Sequence, residues 1–158
     1  MKIAVVGGGP AGMMAAYAAA TTAEVTLFEK NEKLGKKLFL TGKGRCNITN
    51  ARPQEDFFSN IPGNTKFLYS ALNAFSNDDL IHLLNRYGLE TKVERGERVF
   101  PASDKSSDVI KTLQNMLRSK KVQIRLGCHV QEILIRENRV YGIKAEGKNI
   151  LFDKVILA

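Results

Sequence analysis

Three glycines near the amino terminus constrain the fold more than any other feature of the sequence. Gly7, Gly9 and Gly12 form the pattern Gly-x-Gly-x-x-Gly. Residues 2–6 precede the pattern and are apolar and β-branched, which predicts a short buried strand. Residues 10–20 follow it and are rich in alanine, which predicts a helix. The glycines therefore occupy the tight turn between a strand and a helix, as at the start of a βαβ unit.

Each residue type in this turn has a physical task at a phosphate. Gly7 permits the tight turn, Gly9 lets a pyrophosphate approach the backbone, and Gly12 lets the helix pack closely on the sheet. Pro10 and Ala11 begin the helix, whose first N–H groups and partial positive charge favour an anion. The sequence therefore predicts a dinucleotide site here.

An acidic residue ends the second predicted strand, residues 24–29. Glu29 lies 17 residues after Gly12, close to the spacing of about 20 at which an acid binds the adenosine ribose. Its carboxylate can accept hydrogen bonds from both ribose hydroxyls and would repel a 2′-phosphate, so NADP is disfavoured. A glycine-rich structural turn with a surface glutamate is the alternative interpretation. The spacing alone does not distinguish FAD from NAD.

The remaining pattern predicts an α/β fold of Rossmann type with a parallel sheet and an antiparallel β-meander. A long polar connection is expected over residues 30–53. Helices are expected at residues 64–74, 77–87 and 106–119, an extended segment at 91–101, and a third parallel strand at 122–126. Three short alternating segments at 129–136, 139–145 and 148–152 predict the meander, a subdomain over 129–153, and 154–158 begin another buried strand.

Composition narrows the class of protein. The chain has 158 residues, 44% of them apolar, and its two cysteines form no CxxC pair or metal-type cluster. No metal site is expected, and a reduced, cytoplasmic location fits best. No stretch is apolar over the roughly 18 residues of a membrane span. The net charge is +8; since residues 29–45 contribute six basic and two acidic side chains, a diphosphate explains the excess better than nucleic acid or a membrane.

A second motif covers residues 35–50, which read GKKLFLTGKGRCNITN. A later segment, residues 98–103, reads RVFPAS. Together with the glycine pattern and Glu29, these segments resemble the BaiN-like (HI0933-like) family of NAD(P)/FAD-dependent oxidoreductases, within the glutathione-reductase-like FAD superfamily. Thr41 stands where the family often has serine, which keeps a hydroxyl. The resemblance runs along the whole chain.

The resemblance implies non-covalent FAD, with NAD(P)H as electron donor and a small organic substrate. It implies that the second motif contacts the cofactor, with Lys37 and Arg45 offsetting pyrophosphate charge and Asn47 suiting the edge of the flavin. Val130 is expected to hold the adenine through its backbone. The full set of expected cofactor-binding residues is Gly7, Gly9, Pro10, Ala11, Gly12, Glu29, Lys30, Lys37, Gly44, Arg45, Cys46, Asn47, Val130 and Ala158.

The resemblance also sets expectations about what this chain lacks. Family members are longer, so residues 1–158 are expected to be a partial FAD-binding domain without the substrate domain and the carboxy-terminal FAD segment. Such a chain is expected to bind FAD weakly, to be inactive alone and to self-associate through exposed apolar surface. No catalytic constellation is visible. A non-catalytic dinucleotide-binding module and an RNA-associated FAD protein are the alternative functions.

Overall fold

The structure, a computed structural model, describes all 158 residues and divides into two compact units. Unit 1 comprises Met1–Phe39 and Leu113–Ala158, and unit 2 comprises Leu40–Thr112. No helix of the chain combines the length and the apolar character needed to cross a bilayer.

The chain contains ten strands and six α-helices, with two short 3-10 segments at Thr41–Gly44 and Thr65–Leu68. In chain order they are β1 (Lys2–Val6), α1 (Pro10–Ala19), β2 (Glu24–Phe28), α2 (Lys36–Leu40), β3 (Thr49–Asn50), α3 (Gln54–Asn60), α4 (Tyr69–Ala74), α5 (Asn77–Arg86), β4 (Thr91–Glu94), β5 (Arg98–Pro101), α6 (Ser106–Ser119), β6 (Gln123–Arg125), β7 (Val130–Arg136), β8 (Arg139–Ala145), β9 (Lys148–Leu151) and β10 (Lys154–Leu157).

Unit 1 is built on a four-stranded parallel sheet in the order β10-β1-β2-β6. The predicted βαβ unit is confirmed, and so is the third parallel strand, β6, which pairs with β2. The prediction that the last strand is buried is wrong in part. Val155 and Ile156 are half-buried and Leu157 is 65% exposed, because β10 is an edge strand that pairs only with β1.

The predicted antiparallel meander is also confirmed, as strands β7, β8 and β9. Its inner face packs on the parallel sheet through a cluster of six buried residues: Ala4, Phe28, Cys128, Ile143, Ala145 and Phe152. The rings of Phe28 and Phe152 meet edge to face, with centroids 5.8 Å apart. Val5 and Leu27 alternate with the sheet residues of the cluster and are fully buried as well, so the sheet is covered on both faces.

Replacing Phe152 with leucine is expected to lower the free energy of unfolding by about 1 kcal/mol, because it removes the edge-to-face contact while keeping most of the apolar volume. Urea denaturation measures the change. The matched control is Leu151→Ala, since Leu151 is 67% exposed and should change stability by less than about 0.5 kcal/mol. Equal effects at both positions would contradict the proposed packing of the meander.

Unit 2 holds a second antiparallel sheet, in the order β3-β5-β4. The helix predicted at residues 77–87 is confirmed as α5. It begins at a capping box in which Ser76 and Asp79 exchange hydrogen bonds, and Gly88 follows its end with φ +83°. The helix expected at 64–74 is instead a 3-10 turn followed by α4, with no buried residue in either segment. The expected connection at 30–53 contains α2 and β3.

Candidate dinucleotide-binding site

The first glycine turn of unit 1 requires glycine at two positions for steric reasons. Gly7 has φ +116°, and a Cβ there would lie well under 3.0 Å from the carbonyl oxygen of Ala158. A Cβ on Gly12 would lie equally close to the carbonyl oxygen of Gly7. These separations are essentially never seen for real Cβ atoms. Neither position can therefore hold a side chain without displacing the backbone, and Ala158 lies directly against the turn.

Gly9 differs from its neighbours because it faces open space. It is the N-cap of α1, with φ −74° and ψ 177°, and Pro10 follows in the first turn. A Cβ on Gly9 would meet nothing within 4 Å. The first N–H groups of a helix have no partner within it, and here those groups include Ala11. Open space beside a helix amino terminus suits an anion such as a diphosphate.

The Glu29 side chain is tied to the glycine turn. It is 9% exposed, and Oε2 accepts a hydrogen bond from the Gly8 amide at 2.7 Å. Oε1 accepts from the backbone and side-chain nitrogens of Asn31, at 2.8 and 2.5 Å. A carboxylate offers about four acceptor positions, so these three bonds leave about one, on Oε2, for a ribose hydroxyl. From the sequence, the Glu29 carboxylate was expected to accept hydrogen bonds from both ribose hydroxyls.

Burial alone would raise the pKa of Glu29, but the hydrogen bonds from Asn31 and Gly8 outweigh it and hold the pKa below its usual value. The carboxylate is therefore ionised at neutral pH, which strengthens a hydrogen bond that it accepts from a ribose hydroxyl. Asn31 was missed from the sequence. Its only signal was its place two residues after an acid at a strand end, where asparagine commonly bonds to local groups.

The other expected residues of unit 1 lie at its surface or in its core. Lys30 and Lys37 are exposed, so their charges are free to act on a nearby anion. Val130 is half-buried and packs against the cluster beneath the meander, which leaves its predicted backbone contact with adenine untested. The structure thus brings the glycine turn, Glu29 and Ala158 together in one place.

The second motif forms a loop in unit 2, residues 41–47, with an unusual backbone. Gly42, Lys43, Gly44 and Cys46 all have positive φ. Asn47 is exposed, and in the amide orientation that satisfies its hydrogen bonds its Nδ2 donates to the carbonyl oxygens of Thr49 at 3.0 Å and Val99 at 3.3 Å.

Cys46 is 3% exposed, and burial raises the pKa of its thiol. The thiol is therefore protonated at neutral pH, which suits a buried packing residue better than a reactive thiolate.

Arg45 lies among carboxylates of unit 2. Its Nε and Nη2 donate to Asp104 Oδ1 at 2.8 and 2.6 Å, and Nη2 also donates to Glu94. Lys92 donates to Asp104 Oδ2 at 2.5 Å. These bonds compensate the guanidinium charge within the protein. The sequence allows two roles for Arg45, a pyrophosphate contact or an ordinary salt bridge, and the structure shows ion pairs with these carboxylates. Glu94 and Asp104 were missed because they lie 49 and 59 residues away in sequence.

A match to a known protein family shows which family the chain belongs to. The HI0933-like protein Rossmann domain matches residues 1–158. The chain belongs to the HI0933-like family. The resemblance seen in the two sequence motifs is thereby confirmed, and the Rossmann-type fold agrees with the parallel sheet and glycine turn of unit 1.

Curated relatives of this HI0933-like domain include two enzymes of different names. It is 35% identical over 99% of its length to a 3-dehydro-bile acid delta(4,6)-reductase of Clostridium scindens. It is 26% identical over 98% of its length to a ribosomal RNA dihydrouridine synthase of Escherichia coli. In each comparison the match covers 38% of the relative, so this domain spans well under half the length of either enzyme.

Solved structures share the fold of the HI0933-like domain at low sequence identity. A 3-ketosteroid-delta4-(5alpha)-dehydrogenase from Rhodococcus jostii superposes with a TM-score of 0.72 at 17% identity, over 98% of this chain and 44% of that one. Quinol fumarate reductase FrdA of E. coli superposes with a TM-score of 0.70 at 19% identity, over 100% of this chain and 32% of that one. These likenesses show that the chain shares the fold of the two structures.

Proposed function

We propose that this chain is the FAD-binding part of a flavin-dependent oxidoreductase. The observation that carries the proposal is the glycine turn of unit 1, where Gly8 bonds to the ionised Glu29 and Gly9 faces open space. The turn would hold the diphosphate at the amino terminus of α1, and Glu29 would accept a hydrogen bond from the adenosine ribose.

Membership of the HI0933-like family and the oxidoreductase fold support FAD over NAD as the resident dinucleotide. Bound FAD would supply the transfer of hydride equivalents, while the protein supplies binding and orientation. The relative from C. scindens supports an unsaturated or oxo-substituted organic molecule as substrate of the whole enzyme. NAD(P)H is the proposed electron donor.

Calorimetric titration of the purified 158-residue chain with FAD, NADH and NADPH tests the proposal. FAD should bind more tightly than either nicotinamide nucleotide. Gly9→Val should weaken FAD binding at least about tenfold by filling the space at the phosphate. Its effect on the thermal unfolding midpoint should be small, because a Cβ there meets nothing within 4 Å. NADH binding as tight as FAD, or a Gly9→Val variant that binds FAD normally, would argue against the proposal.

A second candidate is an RNA-modifying flavoprotein. It is favoured by the E. coli ribosomal RNA dihydrouridine synthase among the relatives and by the net charge of +8. Binding to a ribosomal RNA fragment with an affinity that falls steeply with salt would support it. If an unrelated basic protein of the same net charge bound the RNA fragment equally well, that support would be lost.

A further inference from the structure

We infer that Arg45 is a positioning residue, which holds the 41–47 loop in shape through Glu94 and Asp104 rather than by touching a phosphate itself. The inference deepens the proposed function and rests on it for its flavin readout, since the family resemblance implies cofactor contacts at Gly44, Cys46 and Asn47 of this loop.

The backbone of the loop needs support from outside itself. Positive φ is disfavoured for residues with a Cβ, yet Lys43 has φ 57° and Cys46 has φ 63°. Two backbone hydrogen bonds hold the turn from within, Arg45 N to Gly42 O at 3.1 Å and Cys46 N to Thr41 O at 3.2 Å. Strained conformations of this kind persist where the surrounding structure determines them.

The Arg45 side chain supplies that support. It forms three hydrogen bonds to Asp104 and Glu94, and its guanidinium lies 4.3 Å from the centroid of the Phe100 ring. Phe100 belongs to β5. The residue that follows the loop also bonds to this strand, because Ile48 N donates a hydrogen bond to Val99 O at 2.8 Å. The loop is thus attached to the β4–β5 hairpin both by its backbone and by Arg45.

The same contacts occupy two of the three guanidinium nitrogens of Arg45 and offset its charge, which weakens it as a phosphate ligand. Nε and Nη2 of Arg45 are directed at the carboxylates of Asp104 and Glu94. Lys92 pairs with the same two carboxylates, its Nζ lying 3.5 Å from Glu94 Oε1 and 2.5 Å from Asp104 Oδ2. Two cations and two carboxylates leave the group without net charge. A phosphate placed at Nε or Nη2 would approach two carboxylates, which repel it.

The two roles predict opposite effects when the carboxylates are removed. If Arg45 positions the loop, Asp104→Asn and Glu94→Gln should act in the same direction as Arg45→Ala, and the Arg45→Ala/Asp104→Asn double variant should be little worse than either single variant. If Arg45 binds phosphate directly, freeing it from Asp104 should leave FAD binding unchanged or tighter.

Hydrogen exchange and calorimetry on the 158-residue chain test this. Without any cofactor, the amides of Arg45 and Cys46 should exchange about tenfold faster in Arg45→Ala and in Asp104→Asn than in the wild type, with the midpoint of global unfolding little changed. FAD affinity should fall about fivefold in Arg45→Ala and in Asp104→Asn, and the double variant should lose little more than either single variant. Arg45→Lys should restore little, since lysine lacks the planar fork. Glu97→Gln, an exposed carboxylate on the same hairpin, is the control and should change neither readout.

Unchanged exchange of these amides in Asp104→Asn would overturn the inference, whether or not the chain binds FAD. FAD binding that Arg45→Ala weakens but Asp104→Asn does not would overturn it too, in favour of direct contact. Failure of the wild-type chain to bind FAD, with the exchange result as expected, would instead count against the proposed function.

Discussion

Replacing Gly12 with alanine is expected to destabilise the chain by more than about 3 kcal/mol, because the new Cβ has no space and its neighbours are backbone atoms. It would lie well under 3.0 Å from the carbonyl oxygen of Gly7 and 3.0 Å from the carbonyl carbon. Neither atom can move without displacing the turn that follows β1. The free energy of unfolding from urea denaturation measures the effect.

Gly9→Ala is the matched control for Gly12→Ala, because it makes the same chemical change three residues away. Gly9 already has a φ of −74°, which any residue adopts, and a Cβ there meets open space. Its stability should stay within about 0.5 kcal/mol of the wild type. A Gly12→Ala variant as stable as Gly9→Ala would show that helix α1 does not approach the turn as closely as the structure has it.

Replacing Glu29 with glutamine is expected to cost about 2 kcal/mol at neutral pH and to weaken FAD binding more than about tenfold. The change places an amide N–H₂ among donors from Gly8 and Asn31, so a buried donor loses its acceptor. It also removes the charge that strengthens a hydrogen bond from the ribose. Urea denaturation and calorimetry measure the two effects. Glu24→Gln, at the exposed start of the same strand, is the control.

The effect of Glu29 should depend on pH with a defined sign. Its pKa in the folded chain lies below the ordinary value of 4.5. A depressed pKa stabilises the folded state above the unfolded pKa, and that contribution is lost as pH falls through the folded value. The stability gap between wild type and Glu29→Gln should therefore be constant near pH 7 and narrow below about pH 4.5. A gap that does not narrow in acid would show that the carboxylate charge is not what the folded state stabilises.

The elements predicted correctly from the sequence are those specified by local chemistry. The βαβ unit follows from the glycine turn and the spacing to Glu29, and the meander follows from alternation interrupted at Glu137–Asn138 and Gly147, which all have positive φ. Turn residues and hydrophobic period act over a few positions, so a sequence displays them directly.

The features that were not predicted depend on distant partners. Strand β3 has two residues, Thr49 and Asn50, and exists because they pair with Val99 and Arg98; two residues cannot show a period. The setting of Arg45 is of the same kind. Its motif predicted a cofactor contact, but no residue near it in the sequence predicts that Glu94 and Asp104 bind its side chain.

The order of strands in the parallel sheet also has a consequence for how the chain folds. Strand β1 lies inside the sheet, between β2 and β10. Strand β2 is complete at residue 28, whereas β10 begins only at residue 154. A nascent or refolding chain therefore carries an open hydrogen-bonding edge on β1 until β10 arrives. Open edges recruit strands of other molecules. Recovery of this chain from denaturant should accordingly depend on protein concentration, with docking of β10 competing against association between copies.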